Sequence, residues 1–163
     1  MSDARFPLLG QCRCGQVQLR ITAPPLLTAA CHCTGCQRMS GSAFSLTAMV
    51  PAEAFEITAG EPVIGGLHGA EVRHFHCPHC MSWMFTRPAD PAFPFVNVRP
   101  TMLEDCSWYS PFIETYTGEK LPWASTPAVH SFEKFPAMDA FESLAKAYAE
   151  QGEASTQAKR GKR

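Results

Sequence analysis

Seven of the eight cysteines fall into three tight groups, and no other feature constrains the chain as strongly. Cys12 and Cys14 form C-x-C; Cys31, Cys33 and Cys36 form C-x-C-x-x-C; Cys77 and Cys80 form C-x-x-C; Cys106 stands apart. A domain of 163 residues buries roughly two-thirds of its unfolded surface and needs no covalent staples to hold a core. Disulfides within C-x-C loops are strained, because the bond demands particular Cα separations and dihedrals. A soft divalent metal imposes no such demand and takes three or four thiolates readily. The first ten residues carry one base, Arg5, and a short Phe6–Leu9 apolar patch, unlike the basic and long apolar regions of a secretory signal. The expected compartment is therefore cytoplasmic, where clustered cysteines serve as metal ligands or catalytic thiols. No stretch approaches the ~20 apolar residues that span a bilayer. A formal net charge of -1 and a pI of about 6.6 exclude a wholesale phosphate-binding surface.

Fourteen prolines and eleven glycines cut most of the chain into short pieces, leaving little room for ordinary helices. Between the breakers lie runs of strand character. Gln16 to Thr22 sets Val17, Leu19 and Ile21 on one face and Gln16, Gln18 and Arg20 on the other, which predicts a half-buried strand. Similar runs occupy Ala43 to Val50, Glu71 to His76, Ser82 to Arg87, Phe95 to Arg99 and Phe112 to Tyr116. The pattern predicts a mainly β, antiparallel domain over residues 1–151. One helical turn is expected at Pro51 to Phe55, cut short before Gly60. A C-terminal helix is expected from about Pro136 to Gln151, where Met138, Phe141, Leu144, Ala145 and Tyr148 recur at helical spacing and Gly152 supplies a stop. Residues 152–163 lack large apolar side chains and read as a disordered basic tail. The bases near Arg163 give the stretch from Gln151 a charge of +3, leaving -4 for the rest.

Seven clustered cysteines divide as four plus three. One partition joins Cys12, Cys14, Cys77 and Cys80 in a closed site and leaves Cys31, Cys33 and Cys36 as a local three-ligand site with an open position. A second joins Cys33, Cys36, Cys77 and Cys80 as a zinc-ribbon pattern, although roughly forty residues between its halves exceed the common fifteen to twenty. Spacing leaves both open. Iron–sulfur ligation ranks behind zinc, since the recurrent ferredoxin spacings are absent.

Several ordered motifs carry a resemblance. They are Gly10 to Val17 with Cys12, Cys14 and Gly15; Cys31 to Gly41 with His32, Cys33, Cys36 and Arg38; Val50 to Phe55; Gly60 to Pro62; and Phe75 to Cys80. Together these resemble the glutathione-dependent formaldehyde-activating enzyme family, which also contains centromere protein V. The resemblance spans about residues 10 to 87 and is thin beyond. It implies the β-tent fold of that family, a structural zinc at Cys12, Cys14, Cys77 and Cys80, and a second zinc at Cys31, Cys33 and Cys36 that receives a substrate thiol. The implied activity is that of a carbon–sulfur lyase, the zinc-dependent condensation of glutathione or another small thiol with formaldehyde or a related aldehyde to an S-hydroxymethyl adduct. One departure stands out: the family usually has glycine directly after the last cysteine, and here that residue is Met81. A turn that requires positive φ is met by methionine only at a cost.

The remaining candidates have plainer readings. His32, between two ligands, is expected to point away from the metal as a hydrogen-bond partner or an exposed residue, and His79 likewise. His74 and His76 share one strand face in structural roles. Gly35 and Gly41 bracket the second site, either as turn formers or as places where backbone amides approach an anionic ligand. Arg38 is a candidate partner for a glutathione carboxylate, with a plain surface arginine as the alternative. Phe44, Trp83 and Phe85 read as core, and Cys106 as a buried free thiol. A non-enzymatic reading stands beside the enzymatic one: a zinc-binding interaction module, similar to centromere protein V, that uses the basic tail to hold a protein or nucleic-acid partner. A short tail on a near-neutral body places that reading second.

Overall fold

The alternation of Val17, Leu19 and Ile21 does what its spacing predicts, since each of these side chains is 1% exposed. The computed structural model describes residues 5–67 and 69–160, with side chains described as far as residue 151. Eleven strands run through the described residues: β1 Leu8–Gln11, β2 Gln18–Ile21, β3 Leu27–Cys31, β4 Ser45–Pro51, β5 Phe55–Ala59, β6 Val63–Ile64, β7 Val72–His76, β8 Trp83–Pro88, β9 Phe95–Val98, β10 Ile113–Thr115 and β11 His130–Ser131. Two helices join them, α1 Thr34–Ser40 and α2 Ala140–Arg160. The expected single turn after Pro51 is a 3-10 turn, Ala52–Ala54.

The strands form two sheets. A three-stranded sheet has the order β1-β2-β5, and an eight-stranded sheet the order β11-β10-β3-β4-β9-β8-β7-β6. Pairing is antiparallel except at one edge, where β10 lies parallel to both β3 and β11. The two sheets share a core in which Leu8, Leu19 and Ile21 of the small sheet meet Met84, Phe85, Val96 and Val98 of the large one. Cys12 and Cys77 belong to that same cluster, 2% and 0% exposed, so the first cysteine group is sealed against the main core. A second, smaller core joins Leu27, Phe112 and Ile113 to Leu144 of α2, with Phe141 and Tyr148 packed against it.

Several elements differ from expectation. The strand after the 3-10 turn, β5, replaces what read as a simple stop: Phe55 buries against Phe85, with ring centroids 4.7 Å apart, and β5 pairs with β2. Gly60, at φ 75°, is where this strand leaves the sheet, and its missing Cβ would sit 2.3 Å from the Gln16 carbonyl oxygen. The C-terminal helix begins at Ala140 rather than near Pro136, leaving Met138 exposed, and passes through Gly152 instead of stopping there. Glycine in a helix interior costs only about 1 kcal/mol, and good helix formers follow it in the sequence. The basic character expected of residues 152–163 rests on side chains outside the described residues, as do residues 161–163 entirely.

Candidate metal centres

Two short turns far apart in sequence converge on the first cysteine group. Cys12 and Cys14 follow β1, and Gly15, at φ 77°, closes their turn by donating from its backbone N–H to the Cys12 carbonyl. Cys77 and Cys80 lie in the turn between β7 and β8, closed by the Met81 N–H donating to the Cys77 carbonyl at 3.0 Å. A bond from the Arg13 N–H to Ser82 Oγ ties one turn to the other. The sulfurs of Cys12 and Cys14 are 3.5 Å apart and those of Cys14 and Cys77 3.7 Å. A tetrahedral ion with Zn–S bonds of ~2.3 Å would set its ligands about 3.8 Å apart. All four sulfurs lie within 4.8 Å of one another, which fits a closed tetrahedral metal site. The Val17 N–H donates to Cys12 Sγ, an interaction that stabilises a thiolate.

Met81 stands at φ 58°, in the left-handed region that glycine occupies at no steric cost. Its side chain is 58% exposed, so packing does little to offset that strain. Met81→Gly is expected to stabilise the protein by about 0.5–1 kcal/mol, the relief of αL strain exceeding the added freedom of the unfolded chain. Thermal denaturation checks this; the midpoint should rise by roughly 1–4 °C, and a fall would show that the methionine side chain holds the turn.

The second group is local. Cys31 ends β3, Cys33 caps α1 and Cys36 lies in its first turn, with the Cys36 N–H donating to Cys33 Sγ at 3.2 Å. Sequence reading placed no helix here. α1 forms because Cys33 serves as its cap and Gly41, at φ 61°, ends it, so Gly41 is a turn former. The three sulfurs lie within 4.8 Å of one another, and no fourth side-chain ligand among the described residues joins them. A hydrogen bond from Cys36 holds the Cys31 thiol down to about 5, helped by Thr115 and Cys33 against the opposing effect of burial, and the same contact pushes Cys36 upward. Sulfurs that share protons at this range are suited to exchanging them for a soft cation. The geometry thus groups the cysteines as Cys12, Cys14, Cys77 and Cys80 and as Cys31, Cys33 and Cys36, and separates Cys33 and Cys36 from Cys77 and Cys80.

A frame of polar side chains supports this second loop from β10 and the turn after it. His32 is fully buried, with its Nε2 2.9 Å from Glu114 Oε2. A carboxylate only accepts, so Nε2 carries the proton and the ring turns away from the sulfurs. Lys120, Thr126 and Ser131 also donate to Glu114. Burial alone would raise the Glu114 pKa, but Ser131, Lys120, Thr126 and His32 outweigh it and hold the carboxyl down to about 2. Glu119 accepts from the Thr34 hydroxyl at 2.6 Å and from its N–H, and Gln37 Nε2 bridges the His32 and Glu119 carbonyl oxygens. Neither glutamate was picked out from sequence, since each lies more than eighty positions from its partner. No local signal marks them: all three residues of β10, Glu114 among them, are buried only once the strand is in place.

Other candidates fall as follows. His79 and Arg38 are exposed. His74 bonds Thr86 Oγ1 at 2.8 Å and stacks edge-on against Trp83, while His76 is 8% exposed. Phe85 is core at 2% exposure, but Phe44 and Trp83 are only half-buried and line a cavity beside α1. Cys106 is exposed, because it sits in a turn whose backbone is capped by Asp105 instead of beneath a sheet.

Fold and site together define a mainly β protein with one four-cysteine and one three-cysteine cluster able to hold metal. The chain belongs to the glutathione-dependent formaldehyde-activating enzyme family, whose sequence model matches residues 7–119. Among solved structures it is similar to a Rhodobacter sphaeroides protein, at 19% identity over 59% of this chain and 87% of that one, with a TM-score of 0.47. No curated protein matches it. Among the described residues no helix is long and apolar enough to cross a membrane.

Proposed function

We propose that this protein is a zinc-dependent carbon–sulfur lyase-type enzyme that joins glutathione, or another small thiol, to formaldehyde or a related aldehyde as an S-hydroxymethyl adduct in the cytoplasm. The observation that carries this reading is the separate set of three sulfurs, Cys31, Cys33 and Cys36, beside a group of four that is already complete. The reaction forms one carbon–sulfur bond and moves the thiol proton to the aldehyde oxygen; nothing is oxidised. The nucleophile is a thiolate, and a free thiol of pKa ~8.5 is mostly protonated at neutral pH. When bound by the three cysteines, zinc supplies a soft Lewis acid with a position that favours sulfur over water and deprotonates it.

The chain's own residues do the rest. Cys31, Cys33 and Cys36 hold the metal, and Cys33 also caps the helix that presents Cys36. His32, clamped to Glu114, fixes the loop between the two ligands, and Glu119 with Gln37 pins the start of α1. A loop held this firmly keeps the three sulfurs in place before substrate arrives, which is where orientation contributes to rate.

Cys33→Ser provides the test, because a serine hydroxyl can keep the cap on the Cys36 N–H while removing a soft ligand. Bound zinc is expected to fall from two per chain to one, and adduct formation from glutathione and formaldehyde to drop to the spontaneous rate. Adduct rates no higher than spontaneous for the intact, metal-replete protein would overturn the reading.

A further inference from the structure

A cavity of about 390 Å³ is lined by Phe44 and Ser45, which precede and begin β4, and by Met81 and Trp83, which follow Cys80. Ser45 links it to the three-cysteine site: it is the register partner of Cys31 in the β3–β4 pair and hydrogen-bonds the Cys36 side chain. Arg99, which follows β9, also lines this cavity, yet is only 8% exposed. Its guanidinium lies over the Trp83 ring, 4.2 Å from the centroid. Its one described hydrogen bond to protein is long, from Nη2 to the Asn97 carbonyl at 3.4 Å, and its buried Nε has no partner.

A buried guanidinium in this state is costly. Arginine carries five donors, and a buried charge is normally paired and hydrogen-bonded. No carboxylate among the described residues forms an ion pair with Arg99. Burial lowers its pKa to about 10, so it stays cationic at neutral pH. What results is a rigid planar fork, braced by an indole, in a cavity that shares Ser45, the register partner of Cys31, with the three-cysteine site. Planar forks of this kind recognise carboxylates in bidentate fashion, and a low-dielectric wall strengthens the attraction.

We propose that Arg99 is the specificity-determining residue that anchors a carboxylate of the substrate, so that the site takes acidic thiols in preference to neutral ones. This rests on the proposed thiol–aldehyde reading for the position of the sulfur, but the anchoring contact is made by Arg99 alone. Trp83 is a positioning residue, holding the guanidinium flat. Arg38, exposed on α1, has no share in the contact.

Calorimetric binding to the zinc-loaded protein at low salt tests it with three probes. Glutathione has both carboxylates and a free thiol, its diethyl ester lacks the carboxylate charges, and S-methylglutathione has its sulfur blocked. The parent protein is expected to bind glutathione about 10- to 100-fold more tightly than the diester, the range expected of a charge-assisted pair in a buried site. Arg99→Gln should erase that preference by weakening glutathione alone, and Arg99→Lys should retain part of it. If Arg99 merely tempers the charge of the cysteine cluster, Arg99→Gln will weaken acid and ester alike, which overturns the proposal. It is also overturned if Arg38→Gln, not Arg99→Gln, removes the preference, or if the parent binds none of the probes. Should Arg99→Gln fail to fold, the parent's preference and its reduction in Arg99→Lys decide the matter, and no preference overturns the proposal. S-methylglutathione separates the two readings. If it binds as tightly as glutathione and still depends on Arg99, the carboxylate anchor stands and the thiol reading fails.

Discussion

Replacing Cys77 with serine is expected to leave a protein with no cooperative thermal transition above 25 °C, whereas Cys106→Ser should shift stability by no more than ~0.5 kcal/mol. Cys77 is fully buried, sits in the main core beside Cys12, and has a sulfur 3.7 Å from that of Cys14 across a sequence separation of 63. Metal binding at a closed thiolate site is worth ~10–16 kcal/mol in apparent terms. That equals or exceeds the ~5–15 kcal/mol net stability of an ordinary domain. Closing so long a loop also removes much of the freedom of the unfolded chain, and this contribution disappears with the ligand. Cys106 is exposed and has no such partners. Calorimetric melts of the two variants decide it, and a Cys77→Ser transition within a few degrees of the parent would show that the four-cysteine group does not hold the fold. Cys33→Ser should keep its transition, since its site lies within one loop and one helix turn.

Glu114 carries the second large effect. Glu114→Ala removes the acceptor shared by His32, Lys120, Thr126 and Ser131 and is expected to cost about 3–5 kcal/mol, because buried donors and a cation lose their partner together. The pH dependence follows from the direction of the shift. The folded carboxyl is depressed from 4.5 to about 2, so its contribution is complete above about pH 5 and is lost as pH falls through 4.5 toward 2. At ~1.36 kcal/mol per pH unit this amounts to about 3 kcal/mol. Urea unfolding of parent and Glu114→Gln at pH 7, 4 and 3 isolates it, since acid loss of metal from the cysteines affects both proteins. The difference in stability between them should shrink by about 2 kcal/mol from pH 7 to pH 3, the remainder being lost only below that; a constant difference would show that the carboxylate is not the seat of the effect.

The parts of the molecule governed by short-range rules were open to sequence reasoning. Period-two alternation located β2, and Pro, Gly and cysteine boundaries bracketed β4, β7, β8, β9 and β10 to within a few residues. Spacing alone left two partitions of the cysteines, and motif order pointed to the grouping that the sulfur positions then bear out. What could not be read was set by contacts across the chain. α1 carries no buried residue, and its cap is a cysteine, so neither apolar periodicity nor an ordinary capping residue marked it. The strand character of β5 depends on β2 being beside it. Nothing local in Glu114, Glu119 or Arg99 distinguishes an acid holding a loop, or a base facing a cavity, from a surface charge; their roles come from the β10–β3 parallel pair and from the place where β9 ends.

That parallel pair has a bearing on how the cysteine clusters could take up metal as the protein is made. The three sulfurs of the second group lie within six consecutive residues, whereas the carboxylate beneath His32 is 82 positions downstream. During synthesis, which proceeds at roughly 5–20 residues per second, Cys31, Cys33 and Cys36 leave the ribosome several seconds before Glu114 and Glu119 arrive to fix their loop. In that interval the nascent chain presents three thiols as a flexible chelator. The first group has no such early phase, because Cys12 and Cys14 wait for Cys77 and Cys80. Any metal that the second loop took up during synthesis would enter before the core closes, so the site that matters less for stability would be the first one able to load.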